Sequence, residues 1–137
     1  MCITLPYLFA TFIDDVIVIL RKSALGCHIR NCCFNAFMFA DDLLTATVSI
    51  ADLQRMVDIV KAELDWLDMQ VNVKKSKCMR IGKRFDVVVG NICLAGKTIQ
   101  WVKEIKYLRL YITAATTFKC NLHYATLKFF GSLIGVR

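Results

Sequence analysis

The stretch CCFNAFMFADDLLTATV, residues 32–48, decides how the chain is read: it sets two adjacent carboxylates, Asp41 and Asp42, between the apolar runs Cys32 to Phe39 and Leu43 to Val48. Neighbouring carboxylates repel, and apolar flanks drive them toward protonation unless a cation compensates. A hard divalent cation such as Mg²⁺, held by one or two carboxylates and by substrate phosphates, meets that requirement. The implied chemistry is phosphoryl transfer. From His28 to Val48 the residues are β-branched, aromatic and small, with a break only at the acidic pair. That pattern predicts a β-hairpin with Asp41 and Asp42 at or beside its turn. A tight tip pushes both side chains out of the sheet, where they reach a metal.

Upstream, Leu8, Phe9, Phe12, Ile13, Val16, Ile17 and Leu20 recur at helical spacing behind Pro6, a residue suited to a first turn. A helix from Leu5 to Lys22 is predicted. Thr11, Asp14, Asp15, Arg21 and Lys22 fall on its other side. Asp14 and Asp15 therefore read as solvated charges, although they repeat the acidic pair, and Gly26 ends the connection. Downstream, Ser49 is expected to open a second helix, with Asp52 completing a variant capping box. Leu53, Met56, Val57, Val60, Leu64 and Leu67 form its stripe, packed against the sheet.

Lys74, Lys75, Lys77, Arg80, Lys83 and Arg84 crowd one short segment, a third of the 18 basic residues. The segment is either a solvated basic loop or a strand and loop that contact phosphates. Beyond it, Val87 to Val89 and Ile92 to Leu94 flank Gly90 and Asn91, a two-residue hairpin signal. Thr98 to Val102 and Lys106 to Thr113 extend the β region, and a last helix is expected from Phe118 to Leu133.

At 137 residues the chain suffices for one domain with a core. A net charge of +7 and a pI near 9.2 favour an anionic partner, nucleic acid before a membrane surface. The hydrophobic fraction of 57% and mean hydropathy of +0.51 imply that part of the surface meets a partner. The apolar stretch Ile3 to Ile13, broken by Pro6 and Thr11, falls short of the ~20 residues a membrane span needs. No basic leader or cleavage site marks a signal peptide. The seven cysteines form no C-x-x-C pair and read as reduced core thiols. The group Cys27, His28, Cys32 and Cys33 matches no usual zinc spacing. His28 and His123 read as surface residues, and nothing completes a nucleophile-and-base pair.

Taken in order, these segments resemble the reverse transcriptase domain of non-LTR (LINE-like) retrotransposons. Leu5, Pro6, Tyr7, Leu8 and Phe9 look like that family's L-S-P-x-L-F segment, followed by Ile13, Asp14 and Asp15 on the next helix. Phe39 to Asp42 matches its [FY]-A-D-D box. Asn72, Lys75 and Ser76 match N-x-x-K-S, and Trp101, Val102, Lys106, Tyr107 and Leu108 match W-V-x-x-x-K-Y-L-G, with Arg109 at the place of the Gly.

The resemblance implies an α/β (α+β) fold: a polymerase palm-like antiparallel sheet packed with helices, a partial domain lacking fingers and most of the thumb. Residues 1–113 would be the palm portion and 114–137 the start of the thumb or connection. It implies RNA-directed DNA polymerisation by a two-metal scheme with Mg²⁺, an RNA template, a DNA primer and deoxynucleoside triphosphates. Asp41 would be the direct metal ligand, Asp42 its partner, and Lys75 a catalytic residue near the triphosphate. Lys74, Lys77, Arg80, Lys83, Arg84 and Lys106 would contact nucleic acid, with Tyr107 and Leu108 steadying the primer end. By the same resemblance the chain starts after the first catalytic carboxylate segment, so inactivity alone is expected, the missing upstream part of the polymerase being a further partner. The location implied is nuclear or cytoplasmic, with no membrane. The alternative is a non-catalytic retrotransposon remnant, a basic nucleic-acid-binding or interaction module. An unrelated Mg²⁺ phosphotransferase leaves the later segments unexplained.

Overall fold

A computed structural model describes residues 4–39 and 41–121. Among these described residues two helices and ten short strands follow in the order α1 (Thr4–Lys22), β1 (Cys27–Ile29), β2 (Cys32–Phe34), β3 (Ala36–Phe39), β4 (Asp42–Thr45), α2 (Ile50–Trp66), β5 (Lys77–Cys78), β6 (Ile92–Leu94), β7 (Lys97–Trp101), β8 (Glu104–Tyr107), β9 (Leu110–Thr113) and β10 (Lys119–Asn121). The architecture is mixed α/β with antiparallel pairing predominant, as a partial palm-like domain requires. Residues 4–73 with 92–98 form one compact unit, and 74–91 with 99–121 a second.

The first unit is built on two helical stripes. Ile13, Val16 and Leu20 of α1 meet Met56, Val60 and Leu64 of α2, and Ala36, Met38 and Leu43 of β3 and β4 pack against this cluster. Leu20 and Met56 are fully buried, and burial of a side chain of that size contributes about 1.5–3 kcal/mol. Asp14 and Asp15 lie on the exposed side of α1, as the helical spacing predicts. Phe12 departs from its stripe and is 48% exposed. Ser49 occupies the N-cap of α2 with extended backbone, but its side chain makes no capping bond, so the predicted capping box does not form.

Gln54 of α2 does what no sequence pattern announced. Its Nε2 donates to the Cys93 carbonyl at 2.9 Å, and the Cys93 N–H donates to its Oε1 at 2.8 Å. The side-chain amide thus stands in for a neighbouring strand and docks β6 on the helix. β6 turns into β7 through Ala95 (φ 53°) and Gly96 (φ 73°), the paired positive φ values of a two-residue hairpin turn. The turn expected at Gly90 and Asn91 does not exist, and Val87 to Val89 form no strand. Gly90 is instead held in a loop, its carbonyl accepting from Trp101 Nε1 at 3.2 Å.

In the second unit β5 pairs in parallel with β7 (Lys77↔Gln100, Cys78↔Trp101), and the Val102 N–H donates to the Cys78 carbonyl at 2.8 Å. β8, β9 and β10 make a three-stranded antiparallel sheet with β9 in the middle. The continuous strand expected from Lys106 to Thr113 is broken by a turn at Leu108 (φ 50°) and Arg109 (φ 64°). Lys119–Asn121 is a strand where a helix was expected to begin, and the rest of that expected helix lies outside the described residues. Cys2, Ala40 and His123 lie outside them too.

Candidate metal and nucleic-acid site

The apolar segment before the acidic pair folds as two hairpins where one was expected. β1 and β2 form the first (Cys27↔Phe34, His28↔Cys33, Ile29↔Cys32), and β3 and β4 the second (Ala36↔Thr45 through Phe39↔Asp42). Asn35 separates them, a polar residue only 3% exposed, whose Nδ2 donates to the Leu20 carbonyl at 2.6 Å. That carbonyl lies in the last turn of α1 and also accepts from Ser23 Oγ at 2.6 Å and from the Ser23 N–H at 3.3 Å, so the helix terminus and the buried Asn35 amide satisfy each other. Gly26, at φ 131°, lies against this joint: a Cβ there would stand 2.5 Å from Asn35 Cβ and 2.8 Å from the Phe34 carbonyl oxygen. The knot of Leu20, Gly26 and Asn35 therefore fixes where β3 starts. The one signal for it in the sequence is a lone Asn inside an apolar run.

β3 then carries the chain to the acidic tip. Because Phe39 pairs with Asp42, the hairpin loop is two residues long, and Asp41 lies in it. Residues paired across antiparallel strands share a face, so Asp42 lies beside Phe37, Phe39 and Leu44, while Ala36, Met38 and Leu43 face the core. Asp41 and Asp42 are both exposed, as are Phe37 (45%) and Phe39 (62%). The tip thus offers two solvated carboxylates above an open aromatic face. Among the described residues no group of three or more His, Cys, Asp or Glu side chains is placed to hold a metal ion. Asp41 and Asp42 fit a hard cation as oxygen donors, and they supply two positions of a shell that phosphates and further carboxylates complete.

The other predicted contacts belong to the second unit. Lys75 stands exposed in the turn before β5. Lys77 Nζ donates to Gln100 Oε1 at 2.9 Å, and Arg80 Nη1 to the Val87 carbonyl at 3.0 Å, so these two cations are partly used in the fold. Lys74, Lys83 and Arg84 are exposed. With them the unit carries Lys103, Lys106, Arg109 and Lys119, and among its described residues only Asp86 and Glu104 oppose that charge. Tyr107 closes β8, opposite Leu110, and Leu108 and Arg109 form the tip of that hairpin.

The thiols are not the core set expected. Cys78 is buried, but Cys32, Cys33 and Cys93 are exposed, and all the cysteines described are free. Burial pushes the Cys78 thiol up to about 11. Cys27 is raised by burial first and by the nearby Cys33 second. In the first unit a cavity of about 270 Å³ is lined by Lys61, Asp65, Gln70, Val71, Val73, Ala95 and Lys97, and neither aspartate of the tip borders it. No helix among the described residues is long and apolar enough to cross a membrane.

Residues 2–112 match a family model described as reverse transcriptase (RNA-dependent DNA polymerase). No curated protein and no solved structure matches the chain. The matched span takes in the acidic tip, the basic segment and most of the β8–β9 hairpin.

Proposed function

The chain belongs to the reverse transcriptase (RNA-dependent DNA polymerase) family, and from that premise we propose that it is a palm fragment of a non-LTR type enzyme whose acidic tip seats Mg²⁺ for nucleotidyl transfer. The observation that carries the reading is the two-residue loop that exposes Asp41 and Asp42 on one hairpin, inside the matched span. The N-x-x-K-S and W-V-x-x-x-K-Y-L segments support the non-LTR type. Asp41 is the direct ligand and Asp42 its neighbour. When bound, Mg²⁺ would offset the negative charge of the incoming triphosphate and make the attacking 3′-hydroxyl easier to deprotonate. Lys75 steadies the triphosphate. Lys74, Lys77, Arg80, Lys83, Arg84 and Lys106 hold backbone phosphates of template and primer, and Tyr107 and Leu108 lie at the primer end. Residues 1–113 are the palm portion, and the segment from 114 opens the thumb.

Two carboxylates on one hairpin make only part of a two-metal cage, so the 137 residues alone are expected to give no primer extension. The test is Mg²⁺-dependent extension of a DNA primer on an RNA template, with and without an upstream reverse transcriptase segment supplied in trans. Extension by the lone chain refutes the incomplete cage. With the upstream segment present, Asp41→Asn should abolish extension, and a rate near the parent's removes Asp41 from the metal.

A second reading draws on the basic second unit: the chain acts as a nucleic-acid-binding remnant without catalysis. Salt-sensitive binding of RNA or DNA, together with no extension in the complemented assay, would favour it.

A further inference from the structure

The β1–β2 hairpin holds Cys27, His28, Cys32 and Cys33, and neither the metal site nor the nucleic-acid contacts use them. The register pairs His28 with Cys33 and Cys27 with Phe34. Paired residues share a face with Cβ atoms about 4.5–5.5 Å apart, so the His28 imidazole stands beside the Cys33 thiol, and both residues are exposed. Cys27 lies one step along the ladder from Cys33. A rise of about 3.4 Å across strands about 5 Å apart puts their Cα atoms about 6 Å from each other, inside the roughly 4.4–6.8 Å that a disulfide spans. Their Cβ atoms start toward opposite faces, so a bridge requires the hairpin to twist. Little resists that twist, because β1 and β2 pair only with each other and over three residues each. Cys33 Sγ already reaches back to the Leu25 carbonyl at 3.6 Å, on the segment that leads into β1. The Cys33 charge also acts on Cys27, whose thiol is held up by burial first and by Cys33 second. Cys32 is a poorer partner for Cys33, since a bridge between chain neighbours distorts the planar peptide that joins them.

We propose that this hairpin is a hydroperoxide-sensitive dithiol: Cys33 is oxidised first, with His28 as the base, and Cys27 then closes a disulfide on it. Exposure and the neighbouring imidazole select Cys33 for the first step. Its sulfur attacks one oxygen of the hydroperoxide, and the O–O bond breaks. The thiol proton passes through His28 to the departing oxygen, which leaves as an alcohol, or as water from hydrogen peroxide, and Cys33 is left as the sulfenic acid. The Cys27 sulfur then attacks the Cys33 sulfur, and the S–O bond breaks. The hydroxide released takes the Cys27 proton and leaves as water. Two thiols thus give two electrons to the O–O bond and become one disulfide. Cys27 follows Gly26 directly, and Cys33 stands two residues before Asn35, so the bridge closes at the joint that aims the acidic hairpin. A twisted, exposed disulfide is the kind that thiols readily reduce, which makes the change reversible. The site stands whether or not Asp41 and Asp42 hold metal.

The experiment treats the reduced full chain with hydrogen peroxide, blocks the remaining thiols with iodoacetamide at timed intervals, and maps tryptic peptides by mass spectrometry. Trypsin cuts after Arg30, between the two thiols, so the bridge appears as two joined peptides. Cys33 should be lost about 100-fold faster than Cys93, the low end of what a positioned base contributes. Cys93 is an exposed thiol whose neighbouring strand, β7, carries no Cys or His. His28→Gln should remove that advantage. Cys27→Ser should stop the reaction at the sulfenic acid, trapped on Cys33 by dimedone, and Cys32→Ser should leave the joined peptides unchanged. Equal loss of Cys33 and Cys93, a bridge that runs to Cys32, or no bridge at all overturns the dithiol. These three outcomes are read on the parent chain and decide the matter even where a variant fails to fold.

Discussion

Replacing Gly26 by alanine tests the joint that aims the acidic hairpin. The backbone at Gly26 has φ 131°, a region that residues with a Cβ occupy only under strain, at about 1–3 kcal/mol. The new Cβ also meets Asn35 Cβ at 2.5 Å, the Phe34 carbonyl oxygen at 2.8 Å and Asn35 Cα at 3.0 Å. Two of these three atoms are backbone, so no flexible side chain can yield. The neighbour must move, and what moves is Asn35, whose buried bond to the Leu20 carbonyl satisfies the end of α1. Breaking that bond in a dry site adds about 1–3 kcal/mol. The sum, about 2–6 kcal/mol, takes a large part of the 5–15 kcal/mol that holds an ordinary domain. Two other glycines separate the contributions. Gly82 has φ 132° with nothing within 4 Å of its added Cβ, so Gly82→Ala should show the strain alone, about 1–3 kcal/mol. Gly90 has open space and no positive φ, and Gly90→Ala should fall within about 0.5 kcal/mol of the parent. Urea unfolding followed by circular dichroism ranks the three. A Gly26→Ala variant no less stable than Gly82→Ala refutes the clash.

Arg109 occupies the left-handed region at φ 64°, next to Leu108 at φ 50°, where a residue with a Cβ carries strain that glycine avoids. Offset by the extra freedom glycine gains in the unfolded chain, Arg109→Gly should raise stability by about 0.5–1 kcal/mol, read as a shift of the urea midpoint, and an unchanged or lower midpoint contradicts it. Among the thiols, iodoacetamide near neutral pH should label Cys32, Cys33 and Cys93 before Cys78, which is buried with its pKa at about 11. The unfolded chain ionises Cys78 at its ordinary value while the fold keeps it neutral, so stability is full below about pH 9 and falls as pH rises toward about 11. Cys78→Val should flatten that fall, and an equal slope in both proteins assigns it elsewhere.

The elements legible in the sequence are those whose signal is local and repeated. The stripe of Ile13, Val16 and Leu20, that of Met56, Val60 and Leu64, and the acidic pair at a hairpin turn all follow from periodicity set against burial. What was not legible depends on contacts distant in the chain. Gly90 and Asn91 carry good turn chemistry, but the Trp101 indole holds the Gly90 carbonyl and the turn forms at Ala95 and Gly96. Ser49 is a good cap residue whose side chain makes no cap bond. Asn35 looked like an interruption in an apolar run and proves to be the bond that separates two hairpins. Of the candidate site, the placement of Asp41 and Asp42 was readable. The turn that puts Tyr107 at the end of β8 was not, because it depends on where β8 stops and β9 starts.

The hairpin changes the surroundings of the acidic pair. Read as a string, Asp41 and Asp42 sit among apolar residues and demand a cation to be tolerated at all. In the fold the apolar neighbours divide, Met38 and Leu43 going inward and Phe37 and Phe39 outward, and both carboxylates stand in solvent at the tip. Solvated charges cost the fold little, so the pair needs no metal in order for the chain to fold. Stability and metal binding are therefore separable at this site. Asp41→Asn should leave the urea midpoint within about 0.5 kcal/mol of the parent while ending extension in the complemented assay. Because the fold does not need that carboxylate, and Gly26 and Asn35 anchor the hairpin from behind, a loss of extension in Asp41→Asn would report on the tip itself and not on the packing beneath it.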